Sequence, residues 1–401
     1  MRKYIINIVI VFALIPVGLF SQDFRDKYFS VLASAERGDV YTAIMQAERY
    51  LTENEQQYEL NLLLADLYLK TGDIAKAEIT YNALNEQYPS EYYYGMAKCA
   101  AFKSNVDLTI EYLKKYFDNN GQYLRHQVIS DTSFNFVKSD DKWREFWRNQ
   151  QFGKLYISLD EIARMIKMDD NFEAINLADQ YLSKSENHNL YYYRALANYN
   201  NKDYKQALKD INKAISMRNR NYDYWRLQSL IEMALKRDAN AFTSWSKVLD
   251  LNELDAEAYL YRAIAANNSG KYYQAHDDLL LYTKHFKHCD SVQYMFVIVS
   301  MNIERYWDAI QSLNILIEKD PSQIKYFNDL GECFFRITDW QPALYSFMMS
   351  LDINPVQGNI WFKAANCEYQ LNNVENACSY WHKAAHYNYP EAQLSLQKYC
   401  K

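Results

Sequence analysis

Glycine and proline are scarce in this chain: nine glycines and six prolines punctuate 401 residues. A multi-strand fold needs turn residues at about every 8 to 12 positions, so an extensive β-architecture is excluded. Sustained apolar periodicity near 3.6 residues instead predicts an all-α fold. Cysteine is also sparse, and six in a chain of this length do not imply a disulfide framework. No Gly-rich phosphate loop, HExxH, nucleophile elbow or CxxC occurs, so the familiar parts of nucleotide, zinc-protease and serine-hydrolase chemistry are missing. Positive charge falls short as well: 44 Lys and Arg face 50 Asp and Glu, a net charge of −6. That balance argues against nucleic acid or anionic lipid as the main partner.

Long hydrophobic runs are limited to the first residues. Arg2 and Lys3 precede an apolar stretch from Ile5 to Phe20, interrupted by Asn7, Pro16 and Gly18, and Ser21 offers a small residue for cleavage. Residues 1–21 therefore read as a secretory signal peptide, with an uncleaved inner-membrane anchor as the alternative. Leu19 stands where Ala or Val is usual in a cleavage site, and the interrupted run is short for a ~30 Å hydrocarbon layer. Nothing after residue 21 is apolar enough to span a membrane, and no cysteine offers a lipid anchor at the end of the run. Without this segment, 42 basic residues face 50 acidic ones, a net charge of −8. The expected location is the periplasm or the periplasmic face of the outer membrane.

Aromatic residues, by contrast, are abundant: 16% of the chain, with 37 Tyr. Many of them recur at a fixed spacing. Frames beginning at His188, Tyr222, Ala256, Asp290, Ile324 and Gly358 give six consecutive segments of 34 residues without gaps. Their twentieth positions are Ala207, Ala241, Ala275, Ala309, Ala343 and Ala377. The twenty-fourth positions are Ile211, Trp245, Leu279, Leu313, Phe347 and Trp381, and the eighth are mostly small: Ala195, Ser229, Ala263, Val297, Gly331 and Ala365. Two antiparallel helices approach to about 8 Å only where facing residues lack bulk, so a small eighth residue opposite Ala at twenty lets the backbones close. Lys202-Asp203, Gly270-Lys271 and Thr338-Asp339 fall at the expected turn, where Asp caps and Gly bends.

This pattern resembles the tetratricopeptide repeat family, most closely in "FNDLGECFFRITDWQPALYSFMMSLDINP" with Pro355 at position thirty-two. The resemblance implies a right-handed superhelical solenoid of about ten antiparallel helix pairs, because frames at Phe24 and Tyr58 place Ala43 and Ala77 at position twenty. Weaker frames near Ser90 and at Leu155 put Thr109 and Ala174 there.

The domain reading is a signal peptide (1–21), an N-terminal block of about three repeats (22–117), an irregular helical segment (118–154), a C-terminal block of about seven repeats (155–390) and a capping helix (391–401). Residues 118–154, with Phe134, Phe136, Trp143, Phe146 and Trp147, read as two short helices closing the first block. A degenerate repeat within one continuous superhelix is the alternative. An open array needs a terminal cap, which Glu391 to Cys400 supplies.

Neither an enzyme nor a cofactor is expected, since the repeat spacing leaves no room for an inserted catalytic domain. Cys378, His382 and His386 stand at i, i+4 and i+8 on one helix, but such a stripe spans about 12 Å, so only an adjacent pair can share an ion. His285, His288 and Cys289 cluster at a repeat junction with no second ligand pair nearby in sequence. No metal is therefore assigned to either group. Cys333 and Cys367 occupy a core position of successive repeats, and a bridge from Cys378 to either Cys367 or Cys400 stays open.

The resemblance implies a partner protein, held as an extended or helical segment along a concave groove lined by the first helix of each repeat. The implied lining is Tyr192, Leu196, Tyr199, Arg226, Leu230, Met233, Leu260, Ile264, Asn267, Tyr294, Ile298, Met301, Asn302, Asn328, Phe335, Phe362, Asn366 and Tyr369. An aromatic and Met-rich trough with amides suits an apolar segment whose backbone the amides bond. Some of these residues are also expected to pack against neighbouring repeats. The family's carboxylate clamp is disfavoured, because position nine reads Leu, Leu, Ile, Ile, Glu, Asn. Two functions are thus in play: a non-catalytic adaptor of the cell envelope, and a soluble periplasmic module binding glycan or peptide through clustered aromatics.

Overall fold

A computed structural model describes residues 17–53, 57–84, 88–119, 125–149, 153–286 and 289–400. Arg2, Lys3, most of the apolar run and His288 lie outside them. Among the described residues the regular structure is entirely helical, and no helix is long and apolar enough to cross a membrane.

The chain divides into two compact units. The first runs to Ile231 and includes Asp250–Leu254; the second comprises Glu232–Leu249 and everything from Asp255 onward. In the first unit, α1 (Val17–Glu36) packs on α2 (Val40–Glu53), α3 (Tyr58–Thr71) on α4 (Ile74–Asn82), and α5 (Pro89–Phe102) on α6 (Val106–Asp118). Two short helices follow, α7 (Arg125–Ser130) and α8 (Asp141–Asn149), with a 3-10 turn at Thr132–Phe134 between them. Then α9 (Lys154–Lys167) pairs with α10 (Asn171–Leu182), and α11 (His188–Asn200) with α12 (Tyr204–Met217). The unit boundary passes through α13 (Tyr222–Ala234) and α14 (Asp238–Leu251). In the second unit, α15 (Ala256–Asn268) pairs with α16 (Tyr272–His285), α17 (Asp290–Asn302) with α18 (Tyr306–Lys319), α19 (Ile324–Arg336) with α20 (Trp340–Ile353), and α21 (Gly358–Gln370) with α22 (Val374–His386). The last helix, α23 (Glu391–Tyr399), packs on α22.

The alanine column is the backbone of this arrangement. Ala43, Ala77, Ala174, Ala207, Ala241, Ala275, Ala309, Ala343 and Ala377 are all 0% exposed, as is Thr109, the one exception to alanine. The Thr109 hydroxyl stays satisfied in that apolar place by donating to the Asn105 carbonyl at 2.7 Å. Eighth and twentieth positions meet in shared cores: Ala263 with Ala275, and Val297 with Ala309. Position twenty-four closes each pair, with Trp245, Phe347 and Trp381 fully buried.

Short turns join the paired helices, which makes neighbours antiparallel. Each turn needs one left-handed residue, and it falls on position fifteen of every frame: Gly38, Gly72, Ser104, Asp169, Lys202, Lys236, Gly270, Glu304, Thr338 and Asn372 all have φ between +56° and +84°. Glycine accepts that conformation freely; the other seven do not, Thr338 least of all because it is β-branched. The next residue starts the second helix, as where Asp73 accepts from the Lys76 amide and Asp203 from the Gln206 amide.

Where the repeat falters, aromatics close the gap. Phe134, Trp143, Phe146 and Trp147 are buried with Leu113 and Tyr116 of α6, whereas Phe136 is exposed. At the other end, a disulfide joins Cys378 of α22 to Cys400 just beyond α23. It selects one of the two pairings the sequence leaves open and leaves Cys367 a buried free thiol.

Candidate functional site

The first helix of each repeat turns one flank toward its partner helix and another toward solvent, so residues between the two flanks are half-buried. Every residue of the implied groove has that character except Ile298 and Asn302, which are exposed; none belongs to the fully buried core. The residues divide between the two units. Tyr192, Leu196, Tyr199, Arg226 and Leu230 lie in the first, on α11 and α13. Met233, Leu260, Ile264, Asn267, Tyr294, Ile298, Met301, Asn302, Asn328, Phe335, Phe362, Asn366 and Tyr369 lie in the second, mainly on α15, α17, α19 and α21.

Several of these side chains also hold the stack together. The Tyr192 ring stacks on Tyr224 at 5.1 Å, and Leu196 packs on the core that joins α9, α10 and α11. Met233 sulfur accepts from the Trp245 indole at 3.2 Å. Phe335 contacts Trp340 and Phe347, Phe362 contacts Tyr389, and Tyr369 contacts both Trp381 and Tyr399, which also touch each other. Two amides are likewise engaged inside the repeats. Asn328 donates to Gln357 at 3.0 Å and accepts from Ser350 at 2.6 Å, while Asn366 accepts from the Trp381 indole at 3.1 Å. These are polar tethers of the stack, and only the sequence-distant partners reveal it.

Charge on this face is locally compensated. Tyr294 donates to Asp329 at 2.7 Å, and Lys325 lies 4.2 Å above the Tyr294 ring. Burial pushes the Asp329 carboxyl up despite that bond. Glu332 accepts from Lys363 and from Arg336, each at 2.7 Å. Burial opposes ionisation of Glu332, but these two cations outweigh it and hold its carboxyl below the usual range.

The structure accounts for most of the cysteines, while the group of His285, His288 and Cys289 includes a residue outside the described ones. The Cys378 thiol is committed to Cys400, which removes it from the stripe with His382 and His386. Burial pushes the thiols of Cys99, Cys333 and Cys367 up to about 12, so they stay protonated and inert at neutral pH.

One cavity escaped the sequence reading. In the first unit a pocket of about 140 Å³ is lined by Leu62, Asp66, Tyr81, Tyr94, Lys98 and Tyr116 among others. Tyr81 donates to Asp66 at 2.6 Å, and Lys98 reaches the same oxygen at 3.0 Å. Gly95 makes the close approach possible, since a Cβ there would sit 2.3 Å from the Tyr81 ring. Leu62 and Asp66 hold positions five and nine of their repeat, the same register as the groove residues further on. Extending that register into the N-terminal block would have found them; the weaker frame near Ser90 hid the continuation.

Comparison with known proteins agrees with the geometry. A tetratricopeptide-repeat family model matches residues 35–99, and a model of the Fis1 C-terminal tetratricopeptide repeat matches residues 188–240. The TPR repeat-containing protein MJ1428 of Methanocaldococcus jannaschii is 26% identical over 318 residues, which cover 76% of this chain. The chain spans about half, 47%, of that relative's length. Among solved structures, YrrB, described as a TPR protein with an unusual peptide-binding site, shares 19% identity and aligns with 47% of this chain and 96% of its own at a TM-score of 0.39. A MamA structure aligns with 42% of this chain and 96% of its own, at 20% identity and a TM-score of 0.37. Repeats of this kind form a scaffold for protein–protein interaction, and the family and fold are generally non-catalytic. The chain thus carries tetratricopeptide repeats, matched by family models at residues 35–99 and 188–240, and is similar to a TPR repeat-containing protein over most of its length.

Proposed function

We propose that this protein is a non-catalytic adaptor of the cell envelope, which holds an extended or helical segment of another envelope protein against the first-helix face of its repeats. One observation carries this reading. In the second unit the aromatics at groove positions are distributed along successive helices, Tyr294 on α17, Phe335 on α19, and Phe362 and Tyr369 on α21, and each packs against different neighbours. A row of separate half-buried footholds suits a long partner segment better than a compact ligand. Export is supported by the charged and apolar N-terminal segment and by the Cys378–Cys400 disulfide, a bond that persists in oxidising compartments.

The test is cross-linking from α15 and α17 in intact membranes, with partner peptides identified by mass spectrometry. Ile264→Glu with Ile298→Glu should abolish the cross-links while leaving the melting temperature unchanged. Undiminished cross-linking in the folded variant would remove this face as the site.

A second reading, a periplasmic module for a glycan or short peptide, draws on the tyrosine-lined pocket around Tyr81, Tyr94 and Tyr116. Retention on a glycan array, lost on Tyr94→Ala and unaffected by the Ile264 and Ile298 changes, would favour it.

A further inference from the structure

Among the described residues, the interruption of the repeat in the first unit leaves part of a helix face uncovered. The second helices α12, α14 and α16 are 14 residues long; α9 packs on α10 and α11, and on the flank where a preceding repeat would supply such a second helix it meets only α7, with six. At about 1.5 Å per residue, α7 spans roughly 9 Å against roughly 21 Å for α9, so it covers less than half of its neighbour. The result is a cleft of about 440 Å³ between the two. Its α9 wall carries Ile157, Asp160, Glu161, Arg164, Lys167 and Met168, a single helical face by their spacing. Ile157 is 51% exposed and Met168 68%, an unusual state for two apolar side chains on one face.

Charge in this cleft runs opposite to that of the acidic chain. Arg125, Arg164 and Lys167 line it, against Asp160 and Glu161. Of the two carboxylates, Asp160 is already engaged: its Oδ1 accepts from the His126 amide at 2.7 Å and lies 2.8 Å from His126 Nδ1. That contact ties α7 to α9, and with Asp160 and Glu161 both ionised the three cations still outnumber the acids in the lining. Lys167 reaches across to the Ser130 hydroxyl at 3.1 Å, and the Arg164 guanidinium lies 3.4 Å from the Met168 sulfur. Cations and the apolar side chains of Ile129, Ile157 and Met168 therefore line the cleft together.

We propose that this cleft is a second docking site, which takes an acidic segment of a partner protein carrying an apolar side chain. Carboxylates of the segment pair with Arg164, Lys167 and Arg125, and its apolar residue lies on Ile129, Ile157 and Met168. An Arg fork gives a carboxylate two parallel bonds, so Arg164 and Arg125 set the register and Lys167 adds attraction without direction. The site is formed by α7 and α9, which carry none of the groove residues, and does not rest on that reading.

Fluorescence anisotropy of the full chain with a labelled peptide of alternating Glu and Leu residues tests the proposal. Saturable binding that weakens with added salt is expected, and Arg164→Glu with Lys167→Glu should weaken it by about tenfold or more. Both side chains are exposed, so the variant should melt like the parent; Arg164→Gln with Lys167→Gln repeats the measurement with a milder change. The Ile264→Glu, Ile298→Glu variant should bind the peptide normally. Unchanged affinity in both the Glu and Gln variants would overturn the proposal. So would loss of binding in the Ile264 and Ile298 variant, which would place the peptide in the groove. Displacement of the peptide by free citrate at equal concentration would likewise overturn it, by reducing the site to one for small anions.

Discussion

Arg262 holds Asp278 in a two-point grip, Nε to Oδ2 at 2.8 Å and Nη2 to Oδ1 at 2.7 Å, across the helix pair α15 and α16. The same pairing recurs in the first unit, where Arg194 grips Asp210 across α11 and α12. Both are positions seven and twenty-three of their repeats. Asp278 is 6% exposed at its side chain and Arg262 23%, so removing Asp278 takes a buried counter-charge from a largely buried guanidinium. Asp278→Ala should destabilise the second unit by about 3 kcal/mol, whereas replacing both partners by Leu and Met should cost much less. Chemical denaturation of the single and double variants gives the coupling directly; equal losses in the two would show that the pair contributes nothing specific.

Gly331 and Phe347 set the second expectation. A Cβ on Gly331 would lie 2.4 Å from the Phe347 ring, which is itself fully buried and has nowhere to retreat. Gly331→Ala should therefore cost about 1–3 kcal/mol through overpacking. Among the described residues nothing lies within 4 Å of a Cβ built on Gly153, so Gly153→Ala should leave the melting temperature nearly unchanged. A neutral Gly331→Ala would mean that the eighth position tolerates more bulk than the alanine column suggests.

Thr338 offers a change in the opposite direction. It holds φ +62° at the turn between α19 and α20, a conformation that Gly72 at the equivalent position adopts without penalty. Relief of the left-handed cost, less the entropy that glycine loses on folding, predicts that Thr338→Gly stabilises by about 0.5–1 kcal/mol. Thermal melting reads this out, and a lowered midpoint would contradict it.

The cap can be released chemically. The Cys378–Cys400 bridge closes a loop with a sequence separation of 22, for which chain entropy gives about 3 kcal/mol. Cys400→Ser should raise hydrogen exchange throughout Glu391–Tyr399 and, less strongly, around Trp381 and Tyr369, on which Tyr399 rests. Exchange in α15 to α18 should not change. Unaltered protection of α23 would show that packing alone holds the cap.

Acid sensitivity follows from Glu332. Its folded carboxyl titrates below the usual range, so the unfolded chain takes up the proton first as pH falls. The stabilising contribution is fully present above the unfolded value of about 4.3 and is lost as pH drops through the folded one. Glu332→Gln should thus lose less stability than the parent between neutral pH and the acid range, as melting temperatures at the two pH values would show. An identical acid loss would assign the sensitivity to other carboxylates.

Much of the architecture was legible because it is local. A 34-residue period, mostly small residues at eight, alanine at twenty and large apolar residues at twenty-four follow from how two helices must meet, and those constraints act within one repeat. The groove residues follow from the sequence as a register alone, and all but Ile298 and Asn302 are half-buried. Their partners do not follow from it. That Asn328 and Asn366 serve as tethers depends on Ser350, Gln357 and Trp381, residues 15 to 29 positions away in sequence.

By itself, then, the sequence determined the helical class, the repeat length and the faces that pack, since periodicity and side-chain volume dictate them. Only the tertiary structure decided that Cys378 bonds Cys400, that Lys202 and Thr338 bear left-handed turns, and that a tyrosine-lined pocket and a cation-rimmed cleft open in the first unit. Those features are distances between helices, and a helix fixes the direction of its side chains while its neighbours fix what they meet.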